Sequence, residues 1–266
     1  MAKRFENKVV WITGGGSGIG RALAVEFARH GALVAVSGRR EANLLDVVKE
    51  IEAAGSRGLA VVCDVCDENS QEAAVGQVVD NFGQLDVAIA NAGFGIGGRI
   101  EDVTVAEWRR QLDTNVIGLT TTIRVSMPHL QETSGRMVLV GSAVAFFAAP
   151  GNGAYCASKA AVRSIGNSLY SELAGTGVSC TTIHPGFVES EIGQVDNKGV
   201  FRAEFEDKRP SLLMWTAKNA AKAMIPPIYR RRREHTFSTH GKFVAFIGSC
   251  FPSLTYRLMA LSQRRK

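Results

Sequence analysis

Short apolar runs alternate with amphipathic stretches along the first third of the chain. Val9 to Thr13 is β-branched and apolar, breaks into Gly14, Gly15 and Gly16, and is followed by helical spacing over Arg21 to His30, with Leu23 and Phe27 on one side and Gly31 closing it. Leu33 to Ser37 predicts a second strand, and Glu41 to Ala54 a helix closed by Gly55. Leu59 to Cys63 predicts a third strand, with Asp64 and Val65 at its end, followed by a helix over Asp67 to Phe82 that carries Val75, Val78 and Val79 on its apolar side. Leu85 to Ala90 predicts a fourth strand running into Asn91, Ala92 and Gly93. Four strand–helix units in succession imply a parallel, doubly wound sheet with helices on both faces.

The pattern continues beyond these units. Thr104 to Thr122 predicts a helix with Trp108, Leu112 and Val116 on its packed side and Asn115 in its interior, where asparagine is poorly suited unless it serves a polar purpose. Arg136 to Val140 and Val178 to Ile183 predict the fifth and sixth strands, ending in Gly141-Ser142 and His184-Pro185-Gly186. A strand-end histidine before a proline is expected to pack or to bond backbone rather than to react. Thr216 to Tyr229 predicts a helix and Glu234 to Thr239 the last strand.

Composition fits one α/β domain. The chain has 266 residues, 45% hydrophobic, enough for a sizeable core. Its five cysteines have no framework spacing, and the Cys63-x-x-Cys66 pair has no partner cluster, so reduced thiols and no metal site are expected. The opening MAKRFENKVV is charged and then enters a strand, so no secretory leader is expected, and no apolar run reaches membrane-spanning length. The expectation is a cytoplasmic protein. A net charge of +6 is concentrated late, in Arg230 to Arg233 and in Arg264, Arg265 and Lys266. No aromatic-interleaved basic motif accompanies it, so nucleic acid is not an expected partner.

Candidate chemistry gathers at the predicted strand ends. The glycine turn does not fit G-x-G-x-x-G, because Arg21 takes the last position; it fits T-G-x-x-x-G-x-G through Thr13, Gly14, Gly18 and Gly20. Strand, glycine turn and helix N-terminus together suit a pyrophosphate. At the tip of the second strand stand Arg39 and Arg40 with no acid, which favours the 2′-phosphate of NADP(H) over NAD(H), with Ser17 as a helper. Ligands in such sheets bind beyond the strand C-termini, where Asp64, Asn91, Gly93 and Ser142 fall. Tyr155 and Lys159, four residues apart in a predicted helix, share one face. A neighbouring ammonium favours the phenolate, which suits the pair to moving a proton at a carbinol oxygen.

With these residues together, the chain resembles the short-chain dehydrogenase/reductase family over about Val9 to Val188. The resemblance rests on the glycine motif, Asp64, Asn91-Ala92-Gly93, Asn115, Ser142, Tyr155-x-x-x-Lys159 and Pro185-Gly186. It implies a three-layer, Rossmann-like fold and a carbonyl–alcohol oxidoreductase. Tyr155 would be the general acid/base, Lys159 would lower its pKa and hold the nicotinamide ribose, Ser142 would orient the substrate oxygen, and Asn115 would hold a relay water. Asp64 and Val65 would meet the adenine, Asn91 and Gly93 would flank the ribose region, Ile19 and Val188 would help hold the nicotinamide end, and Ala92, Pro185 and Gly186 would also contact the cofactor. Thr13, Gly14, Gly16, Ser17, Gly18 and Gly20 would surround the phosphates. The family commonly forms homodimers or homotetramers. A non-catalytic nucleotide-binding regulator, a membrane-associated structural protein, and carbon–carbon double-bond reduction or epimerisation remain open alternatives.

The end of the chain departs from this pattern. Glu189 to Trp215 falls where the family carries its substrate lid, within a domain expected over residues 1–240. Phe201, Phe205, Leu212, Leu213, Met214 and Trp215, with Phe94, Phe146 and Phe147, either form a lipophilic pocket for a small-molecule substrate or complete the core. Gly241 to Lys266 predicts a helical extension. Phe243, Phe246, Ile247, Cys250 and Phe251, then Leu254, Leu258 and Leu261, have helical spacing beside the basic Arg230 block. Such a surface suits peripheral membrane contact or a subunit interface.

Overall fold

The structure is a computed structural model, described over residues 3–197, 200–202, 204, 205, 209 and 213–263. The expected Leu212, Arg264, Arg265 and Lys266 lie outside the described residues, as does part of the 189–215 lid.

Seven strands form one parallel sheet: β1 (Val9–Thr13), β2 (Leu33–Gly38), β3 (Gly58–Val62), β4 (Val87–Ala90), β5 (Arg136–Val140), β6 (Ser179–His184) and β7 (Glu234–Thr236). Their order is β3-β2-β1-β4-β5-β6-β7, so the winding direction reverses between β1 and β4. Crossing helices are α1 (Gly18–Arg29), α2 (Glu41–Ala53), α3 (Glu68–Phe82), α4 (Val105–Leu112), α5 (Gly118–Glu132), α6 (Gly153–Glu172) and α7 (Ala217–Tyr229). Because successive strand side chains point to opposite faces, each buried strand feeds two cores. Val10 and Ile12 pack with Leu23, Val47 and Met224 under α1, α2 and α7; Val9 and Trp11 pack with Val78, Leu130 and Val162 under α3, α5 and α6.

Several boundaries shift by two or three residues, and two elements differ in kind or extent. The helix expected over Thr104 to Thr122 is α4, a π-helical turn at Asp113–Ile117, and α5, which runs on to Glu132. The packed face is also rotated: Gln111 and Asn115 are buried while Leu112 is 36% exposed. The buried side chains there are polar because they hold backbone, as described below. The strand expected to reach Thr239 stops at Thr236, because Ser238 takes φ +68° and caps α8 (Thr239–Cys250), its Oγ accepting from Gly241 N at 3.2 Å.

Nor does the Arg230 block rim the tail. It precedes β7, at the N-terminal edge of the sheet, where Arg231 donates to the carbonyls of Ser134, Gly135 and Gly177. The tail leaves from the opposite edge as α8 and α9 (Pro252–Gln263), two helices bent by 108° to one another. Among the described residues no single helix is long and apolar enough to cross a membrane.

Candidate active site

The site lies where the topology reverses. Thr13 at the end of β1 accepts from Asn91 N (3.1 Å) and Ala92 N (3.2 Å) through Oγ1, and the Asn91 amide donates to Thr13 O (2.9 Å) and Gly14 O (3.1 Å). The Asn91 side chain is therefore spent on holding the glycine turn against β4. The turn itself is tight. Gly14 has φ +63°, and a Cβ on Gly20 would stand 2.3 Å from Gly14 O, so α1 starts directly against the turn. Its first amide groups face a cleft of about 460 Å³. A glycine cradle at a helix N-terminus is what a dinucleotide pyrophosphate requires, and the residues present fit a nicotinamide dinucleotide. Every sequence-predicted site residue lines this cleft except Thr13, Gly20 and Asn115, which stand behind it.

At the tip of β2, Arg39 and Arg40 are both exposed and line the cleft. They differ in engagement. Arg40 donates to Glu191 Oε2 at 2.6 Å and to Ser17 Oγ at 3.4 Å, tying the β2 tip to the segment after β6. Glu191 was not singled out in the sequence, since nothing local links it to a residue 151 positions away. Asp64 Oδ1 accepts from Cys66 N at 3.0 Å and so shapes its own loop.

At the other side, α6 presents Tyr155 and Lys159 on one face, as the spacing predicts. Lys159 is buried and its Nζ donates to Val140 O at 2.9 Å, 5.8 Å from the centre of the Tyr155 ring. Burial lowers the Lys159 pKa to about 8. The Tyr155 pKa moves up rather than down: burial dominates, and the hydrogen bond with Ser142 and the charge of Arg209 only partly offset it. The lysine is turned to a backbone carbonyl, which explains why it does not govern the phenol in this arrangement. Asn115 sits in the π turn, with Oδ1 accepting from Phe94 N (3.1 Å) and Nδ2 donating to Phe94 O (2.9 Å) and Ser158 Oγ (3.0 Å). Gln111 holds the same segment through Ile96 N (2.8 Å) and Phe94 O (2.8 Å). The polar face of this helix thus fixes the loop after β4 against α6.

His184 is fully buried and bonds backbone, as expected. Its Nδ1 lies 3.1 Å from Ser142 O and its Nε2 3.0 Å from Glu234 Oε1. Both partners are hydrogen-bond acceptors. Arg163 Nε donates to the same carboxylate oxygen at 2.7 Å, and its guanidinium lies 4.3 Å from the centre of the Phe146 ring. Glu234 and Arg163 join the site through tertiary contact alone. The His184 hydrogen bond, with Arg163 assisting, holds the Glu234 pKa near 2 against the opposing effect of burial. A depressed carboxylate stabilises the fold above its ordinary value of 4.5 and loses that contribution as pH falls towards 2. Glu234→Gln is therefore expected to lower stability at neutral pH by up to about 3 kcal/mol. It should also flatten the acid limb of the melting-temperature profile, and an unchanged acid limb would contradict the pairing.

Of the apolar residues considered for a pocket, Phe94 and Phe201 line the cleft, with Val188, Ile192 and Val195. Trp215 pairs in backbone with Phe187 and Glu189 and packs on Phe237, and Phe146 packs on His184, so both complete the interior instead. Arg209, which sequence reasoning passed over, also lines the cleft and donates to Val188 O (2.9 Å) and Ser190 O (3.1 Å).

A family model described as short chain dehydrogenase matches residues 8–200. The chain belongs to that family. An uncharacterised oxidoreductase of Staphylococcus epidermidis is 32% identical over 191 residues, covering 71% of this chain and 81% of the relative. The 2,5-dichloro-2,5-cyclohexadiene-1,4-diol dehydrogenase LinX of Sphingobium indicum is 35% identical over 193 residues, 72% and 77% of the two chains. Among solved structures, a short chain dehydrogenase/reductase from Burkholderia phymatum in complex with NAD superposes with a TM-score of 0.81 at 28% identity, covering 92% of each chain. The 3-ketoacyl-(acyl-carrier-protein) reductase from Brucella melitensis, complexed with NADH, gives 0.76 at 28% identity over 88% and 97%. The Burkholderia protein thus holds NAD and the Brucella reductase NADH.

Proposed function

We propose that the chain is an NADP(H)-dependent oxidoreductase that interconverts a carbonyl and a secondary alcohol on a lipophilic small molecule. The observation that carries this reading is Ser142, Tyr155 and Lys159 converging on one end of a cleft whose other end is a glycine cradle flanked by Arg39. A bound nicotinamide supplies or accepts the hydride at the substrate carbon. Tyr155 holds its proton at neutral pH, since burial raises its pKa, and delivers it to the substrate oxygen during reduction. Ser142 offers a second hydrogen bond where negative charge grows on that oxygen. Lys159 keeps a positive charge below about pH 8 beside the tyrosine. Asn115 and His184 fix the backbone on either side of this group. Phe94, Phe201 and Val195 give the substrate end its apolar wall. Helix faces exposing Leu112, Ile117 and Tyr170 support assembly into a homodimer or homotetramer.

NAD(H) use is the second reading. Glu191 already neutralises Arg40, and the Burkholderia relative holds NAD. Titration of NADPH and NADH, then a screen of lipophilic ketones and alcohols with the tighter cofactor, tests both. Tighter NADPH binding with ketone turnover is expected. Tighter NADH binding would move the cofactor reading and leave the chemistry. Binding of neither, without turnover, would favour a non-catalytic role.

A further inference from the structure

The α8–α9 tail packs against two segments that flank the cleft. On its inner side, α8 packs through Gly241, Ala245 and Gly248. The approach is close, since a Cβ on Gly248 would stand 2.5 Å from Phe146 O. His240 Nε2 accepts from Phe187 N at 3.3 Å and stacks on the Phe187 ring. From α9, Tyr256 accepts through its hydroxyl from Ala148 N at 3.1 Å. The tail thus grips the loop between Ser142 and Tyr155 and the segment after Pro185-Gly186, both at the substrate end of the site.

The outer side is apolar and uncovered. Phe243 (65%), Phe246 (57%), Leu254 (53%) and Leu258 (58%) are exposed, as are Phe251 and Leu261. They sit on one face of each helix, and the Phe246 and Phe251 rings meet edge to face across the bend. A patch of this kind on two adjoining helices marks a surface that meets something. Charge decides what. No aspartate or glutamate follows Glu234 in the sequence, while Lys242, Arg257, Arg264, Arg265 and Lys266 do. Lys242 and Arg257 are exposed, next in sequence to Phe243 and Leu258. A second copy docked face to face would oppose like charges with no acid to pair them. An anionic lipid surface accepts both features at once, taking the apolar side chains below its headgroups and pairing the bases with them.

We propose that the α8–α9 elbow seats the protein on anionic membrane surfaces, with the substrate loop held against it, so that lipophilic substrate reaches the cleft from the lipid side. The substrate clause rests on the oxidoreductase reading above; the docking clause does not. Co-sedimentation with phosphatidylcholine vesicles, with and without phosphatidylserine, tests the docking. The full chain is expected to pellet with the phosphatidylserine vesicles and to release in high salt, since exposed charges are then screened. Phe243→Glu combined with Leu258→Glu changes only exposed side chains. It should cut the bound fraction roughly tenfold or more, with melting temperature and NADPH binding unchanged. Failure of the parent to pellet, equal pelleting of the variant, or a dimer seen by light scattering that the same substitutions dissociate would each overturn the proposal. Turnover of a water-soluble ketone without vesicles reports on the oxidoreductase reading separately. If that reading also holds, vesicles should raise the apparent affinity for a lipophilic ketone in the parent and not in the variant.

Discussion

Tyr155→Phe is expected to lower turnover by roughly 10²- to 10⁴-fold, the range over which a positioned proton donor acts. Cofactor affinity should stay within about twofold, because binding by the glycine cradle does not use the phenol. The substitution removes one oxygen and keeps the ring. That ring packs against Gly95, where a Cβ would stand 3.4 Å from Tyr155 Cδ2, so the wall of the cleft is preserved. The lost groups are the proton donor and its hydrogen bond with Ser142. Because burial keeps the tyrosine protonated, the parent should reduce ketones without loss across neutral pH, and the variant should show low activity at every pH. Steady-state turnover beside a fluorescence titration of NADPH separates the two quantities. Near-parental turnover would remove Tyr155 from the chemistry, whereas parallel loss of turnover and binding would point to a disturbed fold.

Much of this site is legible in the sequence because each of its parts is local. A strand that breaks into glycines before a helix, and Tyr155 four residues before Lys159, declare their geometry through short-range periodicity. Strands β1 to β5 are readable for the same reason, since each is dominated by a short apolar run bounded by a turn. What the sequence hides is tertiary. Glu234 meets His184 across 50 positions and Arg40 meets Glu191 across 151, and no spacing rule connects such pairs. The phase of α4 was misread because Gln111 and Asn115 are buried to bond the Phe94 and Ile96 backbone, which a hydrophobic pattern assigns to solvent. The Arg230 block looked like part of the tail because it is near it in sequence, yet β7 carries the chain from one edge of the sheet to the other between them. For Trp215 the sequence leaves pocket lining and core equally open; it packs partly buried against the core, because the lid returns to pair with the strand-end segment it left.

Arg39→Ala is expected to weaken NADPH binding about tenfold while changing NADH affinity less than about twofold. A charge-assisted bond to phosphate contributes roughly 1.5–3 kcal/mol, and the exposure of Arg39 places the effect at the low end because solvent screens it. What decides the cost is which arginine is available. Arg40 is already held by Glu191 at 2.6 Å, so a 2′-phosphate must compete for it, whereas Arg39 lines the cleft and makes no ion pair among the described residues. Arg40→Ala should therefore cost NADPH affinity less than Arg39→Ala does. Glu191→Gln, by releasing Arg40, should raise NADPH affinity and leave NADH affinity alone. Isothermal titration of both cofactors against the three variants decides the matter. Equal loss for NADPH and NADH in Arg39→Ala would refute the 2′-phosphate assignment. A larger loss in Arg40→Ala than in Arg39→Ala would mean that the phosphate displaces Glu191, and that cofactor binding and the segment after β6 are coupled through that exchange.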